Sequence, residues 1–366
     1  MITIGIIGAN GQVGTEVCLF LSQMDDVRVV PICRTDRAVS YLERYGLNPL
    51  KGSIDDSEAT THLLEGCDLV ADFTLVQGKL SVQREVIHKI VRNAVQKAPT
   101  RARYVYISTM MAIGISSDPN QFLQASRIAK TLYGQAKRYG ERTAFRFGRK
   151  IGREIYVLRL GQVHGELQAV SRNIIQEFQE RPAYIPEGPS FSVFAYTISE
   201  ALVNIARGRE DSGLYTLVSV PHWSWQELFE YYARKLGKRP VVRTIPVSPT
   251  HKKCCLRVIS RLIKRWTVQP LLEFAIRYRE VVTGYFLSWS PRLEARLYAN
   301  YSRHRAAAEI SNLISQKKEE TYRPLGERWG ILPGQRMRCL SDSRNTMESA
   351  VPKVQALIRR AQTLAK

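Results

Sequence analysis

The first fourteen residues, MITIGIIGANGQVG, restrict the fold more than any other stretch of the chain. A β-branched run, ITIGIIG, leads directly into Gly8, Gly11 and Gly14 in a GxxGxxG spacing, and an apolar helical pattern starts near Gln12. Glycine is needed where a turn requires positive φ, where backbone must approach a phosphate, and where a helix packs closely on a strand. The open N–H groups of the first helical turn then face an anion. Gly8, Asn10, Gly11, Gln12, Val13 and Gly14 are therefore candidates for holding the pyrophosphate of a dinucleotide. A tight strand-to-helix turn without a ligand is the alternative.

The same alternation continues. The runs VRVVPI, DLVADF, YVYIS and IYVLRL are each separated by helical patterns as far as Gly165. All are apolar on both faces, as strands buried between two helix layers must be. This predicts an α/β fold, a doubly wound parallel sheet. Three regions follow: a dinucleotide-binding domain over 1–167, a substrate-binding region over 168–250 whose chain can cross back to the sheet, and a basic, largely helical extension over 251–366. In the second region the pattern loosens around RPAYIPEGPS, then gives a helix over 197–207, a strand GLYTLVSV, and an amphipathic helix over 223–236.

The net charge of +21 is unevenly placed. From His251 onward there are 23 basic and 9 acidic residues, so this last third carries +14 of it. Leu256, Ile259, Ile263 and Trp266 fall at helical spacing with Arg257, Arg261, Lys264 and Arg265 between them, a basic amphipathic helix. A second apolar helical stretch follows Pro270, and a third is expected over 354–364. Such a tail suits peripheral contact with an anionic membrane, a nucleic acid or a polyanionic substrate, covers the α/β domain or a second subunit, or is a solvated basic face with no specific partner. The apolar stretch 281–289 is too short to span a bilayer. The six cysteines form no CxxC pair and the six histidines stand singly, so no metal is expected. The chain opens on a strand pattern rather than a leader pattern, so a cytoplasmic location, or a peripheral one on a membrane, is the expectation.

After the second strand the sequence runs Cys33, Arg34, Thr35, Asp36, Arg37. An NAD-binding protein places an acid on the adenosine ribose here, whereas a guanidinium pairs with a 2′-phosphate. Arg34 and Arg37 therefore point to NADP(H). A two-residue shift in the loop would bring Asp36 to the ribose and return NAD.

Five motifs in order give the chain a family likeness. GANGQVG, GCDLVADFT, YVYISTMMAIG, YGQAKRYGE and LRLGQVHGE resemble the successive motifs of the extended short-chain dehydrogenases/reductases, the group of nucleotide-sugar epimerases, dehydratases and reductases. SVFAYTISEALVNIARG is similar to a later stretch of the same family. The resemblance covers residues 2–247 and implies a Rossmann-type domain with a small-molecule substrate. Carried over by position, Tyr133 is the acid/base, Lys137 its partner and Thr109 the hydroxyl that positions the substrate oxygen. Residues four apart share a helix face, and a neighbouring lysine is expected to lower a phenol pKa from about 10. The same lysine can also hydrogen-bond the nicotinamide ribose.

Departures from the family pattern narrow the activity. Met110 and Met111 stand where dehydratases carry acids, which disfavours dehydration and places two apolar side chains at the substrate. Gln162 replaces an Asn on the cofactor side, and His164 replaces a Tyr and is either a candidate substrate contact or a packed histidine at a strand end. Ser53 replaces an Asp that reads the adenine, leaving Ile54 and its backbone, and Thr74 replaces a small residue beside the pyrophosphate. The resemblance implies an NADP(H)-dependent reductase or dehydrogenase for a carbonyl/hydroxyl pair, with a nucleotide-sugar as a reasonable substrate. An epimerase retaining NAD, a reductase of membrane-borne ketones, and a non-catalytic RNA-binding or cofactor-sensing protein are the other readings. An intact Thr109/Tyr133/Lys137 set makes nucleic acid an unfavoured partner. Relatives often dimerise through two helices, one of which carries the YxxxK pair, so a homodimer is a further expectation unless the basic tail occludes that surface.

Overall fold

The computed structural model describes residues 1–112, 132–171, 174, 183–186, 190, 192–218, 223–237, 242–245 and 343–363. These belong to one compact unit made of Met1–Ile245 and Tyr322–Lys366. The helices expected over 256–266 and after Pro270, the stretch 281–289, half of RPAYIPEGPS and the end of GLYTLVSV lie outside the described residues.

The elements in order are β1 (Ile2–Ile7), α1 (Gln12–Leu21), β2 (Val27–Cys33), α2 (Asp36–Glu43), β3 (Leu50–Lys51), α3 (Ser57–Leu63), β4 (Leu69–Asp72), α4 (Leu80–Lys97), β5 (Arg103–Thr109), a 3-10 turn (Met110–Ala112), α5 (Leu132–Ile151), β6 (Ile155–Leu160) and β7 (Gln162–His164). Then come β8 (Ala183–Pro186), β9 (Ser192–Phe194), α6 (Ala195–Ala206), β10 (Gly213–Leu217), α7 (Trp225–Lys235), β11 (Val242–Ile245) and α8 (Ser343–Thr363). Seven strands form one parallel sheet in the order β10-β6-β5-β4-β1-β2-β3. The doubly wound sheet expected from the apolar runs is therefore present. β10, from the 168–250 region, crosses back and pairs with β6. Two small parallel ladders, β7 with β9 and β8 with β11, stand apart from it.

Every residue of β4 and β6 is buried, because helices cover both faces of the sheet. One apolar layer, with Ile4, Ile6, Val105 and Leu158 from the strands, joins α1 and α6. The other, with Ile7, Val70, Tyr104 and Val157, joins α4 and α5. Burial at about 25 cal/mol per Å2 of apolar surface is what fixes the alternating strand–helix order into two layers. The terminal helix α8 starts eleven residues earlier than the 354–364 stretch expected, and it carries Pro352 inside it. Val354 and Ile358 are buried in the layer formed by α1 and α6, and Ala361 is buried as well. No helix among the described residues is long and apolar enough to cross a membrane.

Candidate active site

The glycine turn lies between β1 and α1, at the carboxyl ends of the parallel strands where α/β sheets bind ligands. Gly8 adopts φ +74, and a Cβ there would meet the backbone of Phe73 and Thr74 at 3.1 Å. A Cβ on Gly14 would come within 2.6 Å of the Gly8 carbonyl oxygen, so only glycine lets α1 rest on the turn. Gly11 is the N-cap of α1 and no side chain caps that end. Asn10, Gly11 and Gln12 are exposed, while Val13 is half-buried against the core. An uncapped helix N-terminus reached through an exposed glycine turn fits a pyrophosphate. The backbone N–H of Asn10 donates to the Cys33 Sγ, tying this turn to the end of β2.

Next to the turn, Asp72 ends β4 in full burial. Its Oδ1 accepts from the Thr74 N–H at 2.9 Å and the Thr74 hydroxyl at 2.6 Å, and its Oδ2 accepts from the Tyr104 hydroxyl at 2.9 Å. Thr74 is thereby held against Gly8. Its carbonyl in turn accepts from Lys137 Nζ at 2.8 Å.

Lys137 lies on α5 beneath the surface, 5% exposed, and also donates to the Ile107 carbonyl at 2.8 Å. Burial lowers its pKa to about 8, against the fields of Asp72 and Glu141, which raise it. Tyr133, one turn earlier, hydrogen-bonds the Thr109 side chain at the end of β5. Burial raises the phenol pKa and the Thr109 bond only partly offsets it. The lowering by Lys137 expected from the spacing is thus not the dominant effect: the ammonium spends its donors on two backbone carbonyls and stands 5.2 Å over the Tyr106 ring. Thr109 Oγ1 also accepts from the Met111 N–H at 3.3 Å, which places Met110 and Met111 in the turn beside it, Met111 exposed.

Residues 8–146 match a family model described as NAD(P)H-binding. No curated protein matches the chain in sequence. Solved structures do match in fold. UDP-N-acetylglucosamine 4-epimerase from Bacillus cereus superposes with a TM-score of 0.53 at 15% identity, over 67% of this chain and 86% of that one. The enzyme WbmH of Bordetella bronchiseptica, in complex with NAD+, gives 0.53 at 19%, over 71% and 91%. The dTDP-glucose 4,6-dehydratase of Bacillus anthracis, in complex with NAD, gives 0.52 at 12%, over 69% and 86%.

The chain has the extended short-chain dehydrogenase/reductase fold. Its NAD(P)H-binding domain carries the motif order that the resemblance implies.

Within that short-chain dehydrogenase/reductase fold the remaining candidates separate. Gln162, on β7, is half-buried, and its Oε1 is buried without a partner among the described residues. That orphaned acceptor, with the glycine cradle, fits a bound dinucleotide. Arg34 and Arg37 are exposed at the start of α2. Asp36 is held by Lys51 at 2.7 Å on the edge strand β3. The Ser53 hydroxyl hydrogen-bonds Asp55. The Ile54 side chain is in the core, and its carbonyl accepts from Asn93 Nδ2 at 2.9 Å and Thr60 Oγ1 at 3.1 Å. His164 is not brought to the cleft. It is fully buried, its Nδ1 lies 3.2 Å from the Tyr232 hydroxyl, and burial lowers its pKa to about 3. Of the two readings of His164, substrate contact or packed histidine at a strand end, its burial beside Phe194 and Tyr232 agrees with the second.

Three supporting groups received no role from the motifs, although Asp72, Glu141 and Arg159 lie within them. Asp72 was hidden inside DLVADFT, although an acid in an otherwise apolar strand is itself a sign of a buried, satisfied carboxylate. Glu141 and Arg159 form a buried pair at 2.7 Å on α5 and β6, with the Ser108 hydroxyl donating to Glu141 at 2.6 Å. Glu16, on α1, is 1% exposed and accepts from the Glu166 N–H at 2.7 Å, the Leu167 N–H at 3.1 Å and Gln168 Nε2 at 2.8 Å. Burial pushes its pKa up to about 7.

Proposed function

We propose that this protein is an NADP(H)-dependent oxidoreductase acting on a carbonyl/hydroxyl pair, with a nucleotide-sugar as the substrate class. The observation that carries this reading is the Tyr133–Thr109 hydrogen bond at the end of β5, beside a glycine turn that Thr74 and Lys137 tie to the same strand ends. When bound, the nicotinamide exchanges a hydride with the substrate carbon. Gly8, Gly11, Gly14, Thr74 and Gln162 would hold that cofactor.

The chain's own residues supply the proton chemistry. Thr109 and Tyr133 hydroxyls converge on one point, where a substrate oxygen accepts both. Tyr133, kept as a neutral phenol by burial, gives its proton to that oxygen in the reductive direction and recovers it in the oxidative one. Lys137, with its pKa brought down to about 8, supplies a mobile proton close to the phenol near neutrality. Neither Met110 nor Met111 can exchange a proton, which favours hydride transfer over elimination.

NADP(H) is favoured over NAD(H) on two counts. The position at the end of β2 is a buried thiol, Cys33, and the nearest acid, Asp36, is already neutralised by Lys51. Arg34 and Arg37 stay exposed beside it. Nucleotide-sugar chemistry draws support from the likeness of GANGQVG to the turn of 4-keto-sugar reductases and from the sugar-nucleotide enzymes that share the fold.

The decisive experiment pairs Tyr133→Phe with wild type. NADPH binding, followed by fluorescence titration, should be unchanged while turnover on a panel of keto-sugar nucleotides is lost. Full activity in the variant would overturn the mechanism. Tighter binding of NADH than NADPH would overturn the cofactor assignment, and turnover without net NADPH consumption would replace reduction by epimerisation.

A further inference from the structure

Glu16 is a buried acid that the chemistry proposed above leaves unused. It lies on α1, five residues beyond the N-cap Gly11, and is 1% exposed. A carboxyl group in that setting is costly unless its oxygens are bonded. Here they are. Oε1 accepts from the Glu166 N–H at 2.7 Å, and Oε2 accepts from the Leu167 N–H at 3.1 Å and from Gln168 Nε2 at 2.8 Å. All three donors belong to the segment that follows β7.

The same segment also grips the start of α1. Gln168 Nε2 donates a second time, to the Gln12 carbonyl at 3.0 Å, and the Ala169 N–H donates to Gln12 Oε1 at 3.2 Å. Gln168 is buried, whereas Gln12 is exposed on the first turn of α1. With Oε1 taken by Ala169, the end of the Gln12 amide left over is the NH2, a donor, at a helix N-terminus that no side chain caps. A donor is what a pyrophosphate oxygen requires.

Packing alone does not call for an acid at this position. An amide at 16 would offer one oxygen where three donors now share two, and would set its own NH2 against an N–H. The segment after β7 is also shaped around the carboxylate, because a Cβ on Gly165 would run into Glu16 Oε1. The other braces of the glycine turn act elsewhere. Thr15 Oγ1 donates to the Ala9 carbonyl at 2.9 Å, and the Asn10 N–H donates to Cys33 Sγ. These tie the turn to α1 and to β2, and neither reaches β7, which carries Gln162. Glu16 and Gln12 supply that link, joining the turn to the chain that leaves β7.

We propose that Glu16 is a positioning residue for the dinucleotide: through residues 166–169 it holds Gln12 and the first turn of α1 in place for the pyrophosphate. The proposal rests on the cofactor half of the function proposed above, and is independent of the substrate and of the direction of hydride transfer.

The test titrates the full-length protein with NADPH and with NADH by nicotinamide fluorescence at pH 8, above the Glu16 pKa of about 7. Glu16→Gln should weaken the tighter-binding dinucleotide by about tenfold, the change that goes with one charge-assisted hydrogen bond. Gln12→Ala should weaken it as well, and Glu16→Gln added to Gln12→Ala should cost much less than it costs alone, because the two act on one contact. If Glu16→Gln does not fold, Gln168→Met removes the Nε2 donor shared by Glu16 and Gln12 at similar volume and makes the same comparison, with a smaller expected loss. Equal dissociation constants for wild type and variants would overturn the proposal. So would a lowered thermal midpoint with unchanged affinity, or losses that simply add. Wild type that binds neither dinucleotide would overturn the cofactor reading along with it, a result distinct from the other three.

Discussion

Replacing Glu141 with glutamine keeps the side-chain volume and removes its charge. Arg159 donates to both carboxylate oxygens, from Nε at 2.8 Å and from Nη2 at 2.7 Å, and the Ser108 hydroxyl adds a third bond at 2.6 Å. The two side chains are 10% and 5% exposed. An amide offers one acceptor where the carboxylate offered two, and its NH2 faces a guanidinium donor. Breaking one side of a buried pair costs about 3–5 kcal/mol, a large share of the roughly 5–15 kcal/mol that holds a domain together. At about 2–4 °C per kcal/mol, the thermal midpoint should fall by roughly 6–20 °C. Urea unfolding followed by circular dichroism measures the same loss. Glu141→Leu/Arg159→Met should recover most of it, because no lone charge then remains buried, and the cycle of single and double variants isolates the pair. Glutamine at 141 also removes one of the two fields that support the Lys137 ammonium, so any activity limb set by Lys137 should move to lower pH. A variant within about 1 kcal/mol of wild type would refute the claim that this pair anchors α5 to β6.

Gly140→Ala should destabilise although it improves helix propensity by about 1 kcal/mol. A Cβ at 140 would lie 2.0 Å from the Tyr106 hydroxyl oxygen, and relieving that overpacking costs about 1–3 kcal/mol or more. A raised urea midpoint would contradict the packing. The pH dependence of stability should be nearly flat between about 4.5 and 6.5, because two buried groups oppose each other there. Glu16, raised to about 7, favours the folded state below 4.5 and loses that contribution as pH rises through 7. His164, lowered to about 3, does the reverse, with stability falling as the unfolded chain takes up a proton below about 6.5. Glu16→Gln should therefore expose a rise in urea midpoint with pH, and an unchanged profile would refute the opposition.

What could be read from the sequence was local. Strand, glycine turn and helix follow one another within MITIGIIGANGQVG, and buried strands announce themselves as uninterrupted apolar runs. The hydroxyl of Thr109 and the YxxxK pair were legible as types at fixed spacings. What was not legible depends on partners far apart in the chain. Glu16 meets residues 150 positions later, and Gly140 is required by Tyr106 on another element. His164 stands two residues after Gln162, where the family pattern has a Tyr, and the sequence alone reads it equally as a substrate contact or a packed histidine. The alternation of a strand sends the two to the same face, but the β7–β9 ladder and Tyr232 enclose His164.

The Tyr133–Lys137 spacing shows the difference most directly. Four residues on a helix place two side chains on one face, which is all the sequence can say. Their division of labour is tertiary. Thr109, at the end of β5, receives Tyr133 where 37% of the residue remains exposed. Lys137 is drawn the other way, into the carbonyls that end β4 and β5, because Asp72 fixes Thr74 in place to accept it. A lysine so bound gives its hydrogen bonds to those two carbonyls. In the chemistry proposed above, its contribution is a proton held at a pKa of about 8. That value is set by burial on one side and by Asp72 and Glu141 on the other, two acids that no YxxxK motif contains within its five residues. The catalytic spacing is therefore a helix property, whereas the chemistry it supports belongs to the strands and acids beneath it.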